Sequence, residues 1–501
     1  MAFFVFGGSN MVIPSLEDLE RMANQGNLIP IFEEIHFDWE TPISAFRKID
    51  DGKFSFLLES VEGGEKWARY SFLGSGPSSL FRSKGEEFEI VKNKVVLQKG
   101  REKDPLQALE NFLGRYRPVL HDSLPRFFGG AVGYVNYDLI RSFEKIPTLL
   151  PEDHSLYDCY FMIADTLLVF DNVKQKVKVI SNVFLDGQRP LRETYQEAKE
   201  KIEKTITRLQ NPTFPSPPKQ SFSPSPLCSN SSKEEFMKRV EKAKEYIKAG
   251  DVIQVVLSQR FSSDLQCEPF DIYRALRSIN PSPYLFYLKM DDSVLLGASP
   301  EVMVRLEGRQ IELRPLAGTR PRGKTPEEDR KMEKDLLADE KEMAEHIMLV
   351  DLGRNDVGRV SEIGSVEVTA LMEVERYSHV MHIVSNIRGS LGPGKNAFDV
   401  FRATFPAGTV SGAPKIRAME IIEELEPIRR GPYAGAAGYF SFSGNLDTCI
   451  TIRSILIKEG KAYVQAGAGI VADSDPEKEY EETLNKAQAL FKAIQQAEEG
   501  L

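Results

Sequence analysis

The chain has 501 residues, 41% of them hydrophobic, enough to bury one large core or two to three ordinary ones. Its formal net charge of −10 argues against nucleic acid or an anionic membrane as the main partner. Cys159, Cys228, Cys267 and Cys449 lie far apart with no C-x-x-C spacing, which suggests neither a zinc cluster nor a disulfide framework and fits a reducing compartment. No apolar run approaches the ~18 residues of a membrane span. The early AFFVF run has no basic segment before it, so a cytoplasmic location is expected.

In chain order, Ser15–Ala23 reads as a short helix and Gly52–Glu59 as a strand. Gly129–Asp138 reads as a tight turn joined to a strand, and Tyr160–Phe170 and Val177–Phe184 as buried strands. Leu191–Leu209 is an amphipathic helix. Residues 211–230 are rich in proline and serine and form an expected linker between an N-terminal domain, 15–210, and a second domain, 231–497. Ser232 and Glu235 make a capping box that opens a helix striped by Phe236, Val240, Ala243 and Ile247, and Gly250 ends it. Strands are expected at Asp251–Phe261, Pro283–Lys289, Val294–Leu296, Gln310–Leu316 and Tyr433–Ser441.

Two helices carry Glu-x-x-Glu. In Asp339–Asp356, Met343, Ile347 and Val350 form an apolar stripe with Glu342 and Glu345 beside it. Near the C-terminus, Tyr480, Leu484, Ala487, Phe491 and Ile494 form the stripe, Glu479 and Glu482 flank it, and Lys486 follows one turn on. Such pairs are usually solvated helix faces. Two of them offer carboxylate oxygens to one hard cation, the ligation that Mg²⁺ takes together with substrate oxygens.

Gly318–Thr325, GTRPRGKT, satisfies a phosphate-loop pattern literally. Pro326 nonetheless pushes Thr325 out of the helical region, so Thr325, Pro326 and Glu328 read as the cap and first turn of a later helix. Three Gly-containing stretches, Pro315–Arg320, Phe405–Lys415 and Gln465–Ile470, are read as loops able to aim backbone N–H groups at an anion. With Arg453 and Lys486 they suggest an acidic small-molecule substrate.

The segments LGASPE, RPLAGTRPRG, DEKEMAEHIMLVDLGRNDVGR, FPAGTVSGAPKIRAMEII and VQAGAGIVADSDPEKEYEETLNKA carry a resemblance to component I of anthranilate synthase, within the chorismate-binding enzymes. It spans about Ile31 to Ala497. The resemblance implies an α+β fold (an α/β sandwich) of two intertwined layers, mainly antiparallel sheets flanked by helices. It also implies a lyase of tryptophan biosynthesis that makes anthranilate and pyruvate from chorismate and ammonia. Gln254 and Ala317 stand where relatives that use water or an enzyme amine carry lysine. Ala317 has no nucleophile to offer, which points to free ammonia.

By the same resemblance, Glu301 is the general acid, His382 serves pyruvate elimination, Thr319 belongs to the catalytic group, and Gly318 and Thr319 form another substrate-binding wall of the site. Tyr433, Arg453, Gly467, Ala468, Gly469 and Lys486 contact the substrate carboxylates. Glu345 and Glu482 hold Mg²⁺, with Glu342 and Glu479 behind them. Leu58, Glu59, Ser60, Pro283, Tyr284 and Leu285 match a site for L-tryptophan as feedback inhibitor. His346 and His379 are expected to be structural. With no Gly-x-Cys-x-Gly elbow in the chain, glutamine use implies a separate amidotransferase subunit, in a heterotetramer. The alternatives are an aminodeoxychorismate synthase component I and a non-catalytic chorismate or tryptophan sensor.

Overall fold

The computed structural model describes residues 11–36, 39–60, 69–211, 225–377 and 380–500. Two 12-stranded sheets dominate, and every pairing between named strands is antiparallel. The first runs Leu28–Ile35, Lys176–Phe184, Thr166–Asp171, Tyr70–Ser75, Ser55–Glu59, Tyr284–Met290, Ser293–Ser299, Ser454–Lys458, Lys461–Ile470, Gln254–Asp264 and Cys228–Ser229, with Gly412–Ala413 also on Gln254–Asp264. The second runs Leu316–Pro321, Val380–Ser390, Gln310–Leu313, Val302–Glu307, Leu446–Ile450, Ala436–Ser441, Gly130–Val135, Cys159–Ala164, Ser79–Lys84, Glu87–Lys92 and Val95–Arg101, with Glu367–Arg376 also on Val380–Ser390. This is the expected α+β fold.

In each sheet the strands from the first half of the chain form one block and meet the second half at a single seam. The seams are Ser55–Glu59 against Tyr284–Met290 and Gly130–Val135 against Ala436–Ser441. The sheets pack face to face on apolar side chains, with Phe72 of the first 5.8 Å from Tyr439 of the second, edge to face. The outer face of the first sheet is covered by the helices Pro42–Ile49, Leu191–Gln210, Pro269–Ile279 and Pro476–Glu498. Among the described residues no helix is long and apolar enough to cross a membrane.

Several local expectations hold. Ser232 and Glu235 form a reciprocal capping box, and Thr325 caps Pro326–Ala338 by accepting the Glu328 N–H. The would-be phosphate loop opens as the strand Leu316–Pro321, and the helix after it starts only at Pro326.

Other expectations are corrected. The run Tyr160–Phe170 is two strands in different sheets, because buried Asp165, paired with Lys201, turns the chain between layers. Gln310–Leu316 ends at Leu313, before Pro315. Ile347 is 42% exposed rather than part of a buried stripe. Its helix, Glu340–Gly358, instead packs through His346, Leu349, Val350, Gly353 and Val357. A Cβ at Gly353 would lie 2.7 Å from Ile387, so the small residue sets which face approaches the sheet. Pro315–Arg320 and Gln465–Ile470 are mostly strand rather than loop. The proline-rich stretch lies largely outside the described residues, at 212–224, and His379 lies outside them too.

Candidate active site

Glu301 occupies the crossover between the sheets, just after Ser293–Ser299 of the first and before Val302–Glu307 of the second. Its carbonyl accepts the Ile450 N–H at 3.1 Å, which fixes the turn. The side chain is buried. Burial pushes its carboxyl up to about 8, against the pull of Thr409, the Leu316 backbone and the Lys486 charge. Glu301 therefore holds a proton at neutral pH and can give it away.

His382 stands opposite Thr319 across the strands Leu316–Pro321 and Val380–Ser390. A register shift between Ala317 and Thr319, with Gly318 at φ +65°, turns the Gly318 carbonyl toward the ring. His382 Nδ1 lies 2.9 Å from that carbonyl and 3.1 Å from Thr319 Oγ1. A carbonyl only accepts, so Nδ1 carries the hydrogen and Nε2 is left as a lone pair. Burial lowers the affinity of the ring for a second proton, and Arg453 and Lys486 add to that.

The cationic wall joins the C-terminal helix to the first sheet. Lys486 Nζ reaches the Gly467 carbonyl at 3.0 Å and Glu482 at 2.6 Å. Arg453, at φ +51°, is held in the sparsely populated left-handed region while its guanidinium bonds the Lys486 carbonyl. Tyr433 is buried against Gly467, where a Cβ would lie 2.7 Å from its hydroxyl. Ala468 is fully buried and lies opposite Leu257. Beyond Val464 the strand Lys461–Ile470 is ladder-paired only toward Gln254–Asp264, so Gly467 and Gly469 offer backbone groups on the other side.

The four acidic residues form two couples. Burial and then Glu345 raise the affinity of Glu342 for a proton. Burial raises that of buried Glu479, and Glu482 adds to it. Gln254 Nε2 donates to Glu345 Oε1 at 2.7 Å, and Glu345 Oε1 lies 3.6 Å from a Cβ placed on Gly469. The charge of Lys341, on the first helix, reaches Glu479 on the second. Among the described residues no three His, Cys, Asp or Glu side chains converge as a closed cation cage. The donor set still suits Mg²⁺, which takes one or two protein carboxylates and completes its shell with water and substrate oxygens. The repulsion within each couple is the kind a cation relieves.

All six residues matched to an inhibitor site line a single narrow cavity of about 40 Å³ between the sheets. Glu59 in that wall already accepts from Tyr273 at 2.7 Å and Arg277 at 3.1 Å, and Tyr284 donates to Asp447 at 2.8 Å. His346, expected to be structural, is fully buried with its Nε2 2.7 Å from Ser385 Oγ.

Sequence reasoning missed the buried pair Glu426–Arg430 behind Tyr433. Arg430 bonds Glu426 at 2.6 Å and the carbonyls of Val410 and Val256, and Glu426 accepts from Ser258. The i, i+4 spacing of Glu426 and Arg430 was the one signal available.

A family model described as chorismate binding enzyme matches residues 55–492. The chain is 50% identical over 495 residues to anthranilate synthase component 1 of Acetivibrio thermocellus, covering 98% of this chain and 100% of that one. It is 50% identical over 488 residues to that of Aquifex aeolicus, covering 97% and 98%. The crystal structure of anthranilate synthase component I from Streptococcus pneumoniae TIGR4 superposes with a TM-score of 0.76 at 39% identity, over 91% of this chain and 98% of that one.

Proposed function

The chain belongs to the chorismate-binding enzyme family and, at half identity over nearly its whole length, to the anthranilate synthase component 1 group within it; from that premise we propose that it is a lyase converting chorismate and ammonia to anthranilate and pyruvate. The observation that carries the reading is Glu301: a buried acid that keeps its proton at pH 7, on the same site as a cationic carboxylate wall. Ala317, 9% exposed, adds no nucleophile of its own.

Arg453, Lys486, Tyr433 and the Gly467–Gly469 backbone orient the two substrate carboxylates. Ammonia forms a bond to ring C2 while the C4–O bond breaks, and Glu301 supplies the proton that turns the departing hydroxide into water. His382 Nε2 then takes the C2 proton as the enolpyruvyl C–O bond breaks, leaving an aromatic ring and pyruvate. Glu345 and Glu482, with Glu342 and Glu479 behind them, would hold Mg²⁺. Bound there, Mg²⁺ supplies charge neutralisation and orientation at the ring carboxylate. The cavity at Leu58–Ser60 and Pro283–Leu285 takes L-tryptophan as inhibitor. Ammonia comes from glutamine through a partner amidotransferase subunit, in a heterotetramer. The setting is the cytoplasm, to which free cysteines are suited.

The test uses the purified chain with chorismate, ammonium at alkaline pH and Mg²⁺, followed by anthranilate fluorescence. Signal abolished by EDTA and suppressed by tryptophan is expected. Chorismate consumed without anthranilate would point to an aminodeoxychorismate product instead. Tryptophan binding without turnover would favour a sensor.

A further inference from the structure

We propose that Thr409 and Asp356, with water in the cavity they share with Glu301, form the route by which Glu301 regains its proton after each turnover. The proposal rests on the general-acid reading of Glu301. A small cavity of about 20 Å³ lies behind the acid, walled by Glu301, Thr409, Asp356, Pro315, Gly353 and Leu349. That is space for about one water, with Glu301 and Thr409 on one side and Asp356 on the other as polar partners. At the near end, the Thr409 hydroxyl sits against the Glu301 carboxyl, yet it is buried and makes no well-aligned hydrogen bond to a protein atom. A buried hydroxyl with capacity to spare is the usual partner of an internal water.

At the far end, buried Asp356 bonds Lys415 Nζ at 2.6 Å. Arg359 is the other cation acting on it, and Lys486 is the charge that reaches Glu301. Thr409 and Lys415 both come from the glycine-containing stretch Phe405–Lys415, so one loop brackets the cavity at its two ends.

The proton balance is simple. Glu301 loses a proton to the departing hydroxide. Cavity water then hands one proton to Glu301 and takes one from the Asp356–Lys415 pair. That pair is recharged through solvent by the proton the newly added ammonium group sheds. Thr409 and Asp356 act through Glu301 and are positioning residues.

The full chain carrying Thr409→Val or Asp356→Asn would be mixed rapidly with chorismate, ammonium and Mg²⁺ at pH 7. Because Glu301 starts each experiment protonated, the first turnover should lose far less than the steady rate. The steady rate should fall about tenfold, a modest share of a general acid's contribution, with a larger D₂O effect than the parent. Thr409→Ser should recover most of what Thr409→Val loses, a rescue that bare packing would not require. First and later turnovers slowed alike, or neither slowed, would overturn the relay. Thr409→Val, close to isosteric, still decides the matter if Asp356→Asn does not fold. A parent that makes no anthranilate would overturn the general-acid reading and the relay together. A parent that turns over, with variants showing no burst, would overturn the relay alone.

Discussion

His382 donates from Nδ1 to the Gly318 carbonyl at 2.9 Å, and that contact decides which ring nitrogen can act as a base. Replacing it with Gln keeps a donor for the carbonyl and removes the basic lone pair. For His382→Gln, kcat should fall about 10²–10⁴-fold. The amino adduct that still carries its enolpyruvyl group should build up, as mass spectrometry of quenched reactions would reveal. Equal loss of both steps, with no adduct, would contradict the assignment.

Glu301 makes a pH prediction. In the proposed general-acid role its carboxyl must be protonated, and it ionises at about 8, so kcat/KM should decline as pH rises through that value. Stability follows with a definite sign. The folded state holds this proton more tightly than the unfolded chain, where the group titrates near 4.5. Folding therefore loses about 1.4 kcal/mol per pH unit between those values from this group alone, and the loss levels off above the upper one. Glu301→Gln cannot ionise. Thermal melts should show the variant gaining on the parent as pH climbs from 5 to 9 while remaining inactive. A constant gap would refute the burial argument.

Glu345 lies beside Gln254 and Gly469 and is proposed as a Mg²⁺ ligand. Glu345→Gln should raise the Mg²⁺ concentration for half-maximal rate by about tenfold or more, in line with losing one ligand of a sparse set. Rate against Mg²⁺, with direct calorimetric titration beside it, would measure this. An unchanged Mg²⁺ requirement would remove Glu345 from the site.

Ser60 lines the cavity with Leu58, Pro283 and Tyr284. Ser60→Phe fills space that an indole would need. The tryptophan concentration for half inhibition should rise at least about tenfold, or 1.4 kcal/mol. Turnover without tryptophan should stay near that of the parent. Unchanged inhibition would mean the inhibitor sits elsewhere.

Local chemistry made part of this molecule legible. Ser232 with Glu235, and Thr325 with Pro326, announce helix starts because capping is settled within four residues. The Glu-x-x-Glu couples are legible for the same reason. Ile347 was misread because the buried face of its helix is set by Gly353 meeting Ile387, a contact invisible in a stripe of apolar letters. The Tyr160–Phe170 run hid a change of sheet at Asp165, whose partner Lys201 comes from a distant helix. Gly467–Gly469 looked like a loop since glycine is ambiguous between a turn and a close-packed strand. Asp356 with Lys415, and Thr409 with Glu301, are assembled from separate segments and carry no local pattern.

The two seams bear on how the chain is made. When the first half leaves the ribosome it holds five contiguous strands of each sheet, ending at Ser55–Glu59 in one and Gly130–Val135 in the other. Both ends are largely buried in the finished protein, so in the nascent chain they are bare, apolar strand edges of the kind that recruit foreign strands. The partner for the first, Tyr284–Met290, is made well before Ala436–Ser441, the partner for the second. Translation thus leaves one edge open long after the other is sealed, and that interval is when the half-made chain most needs a chaperone's cover.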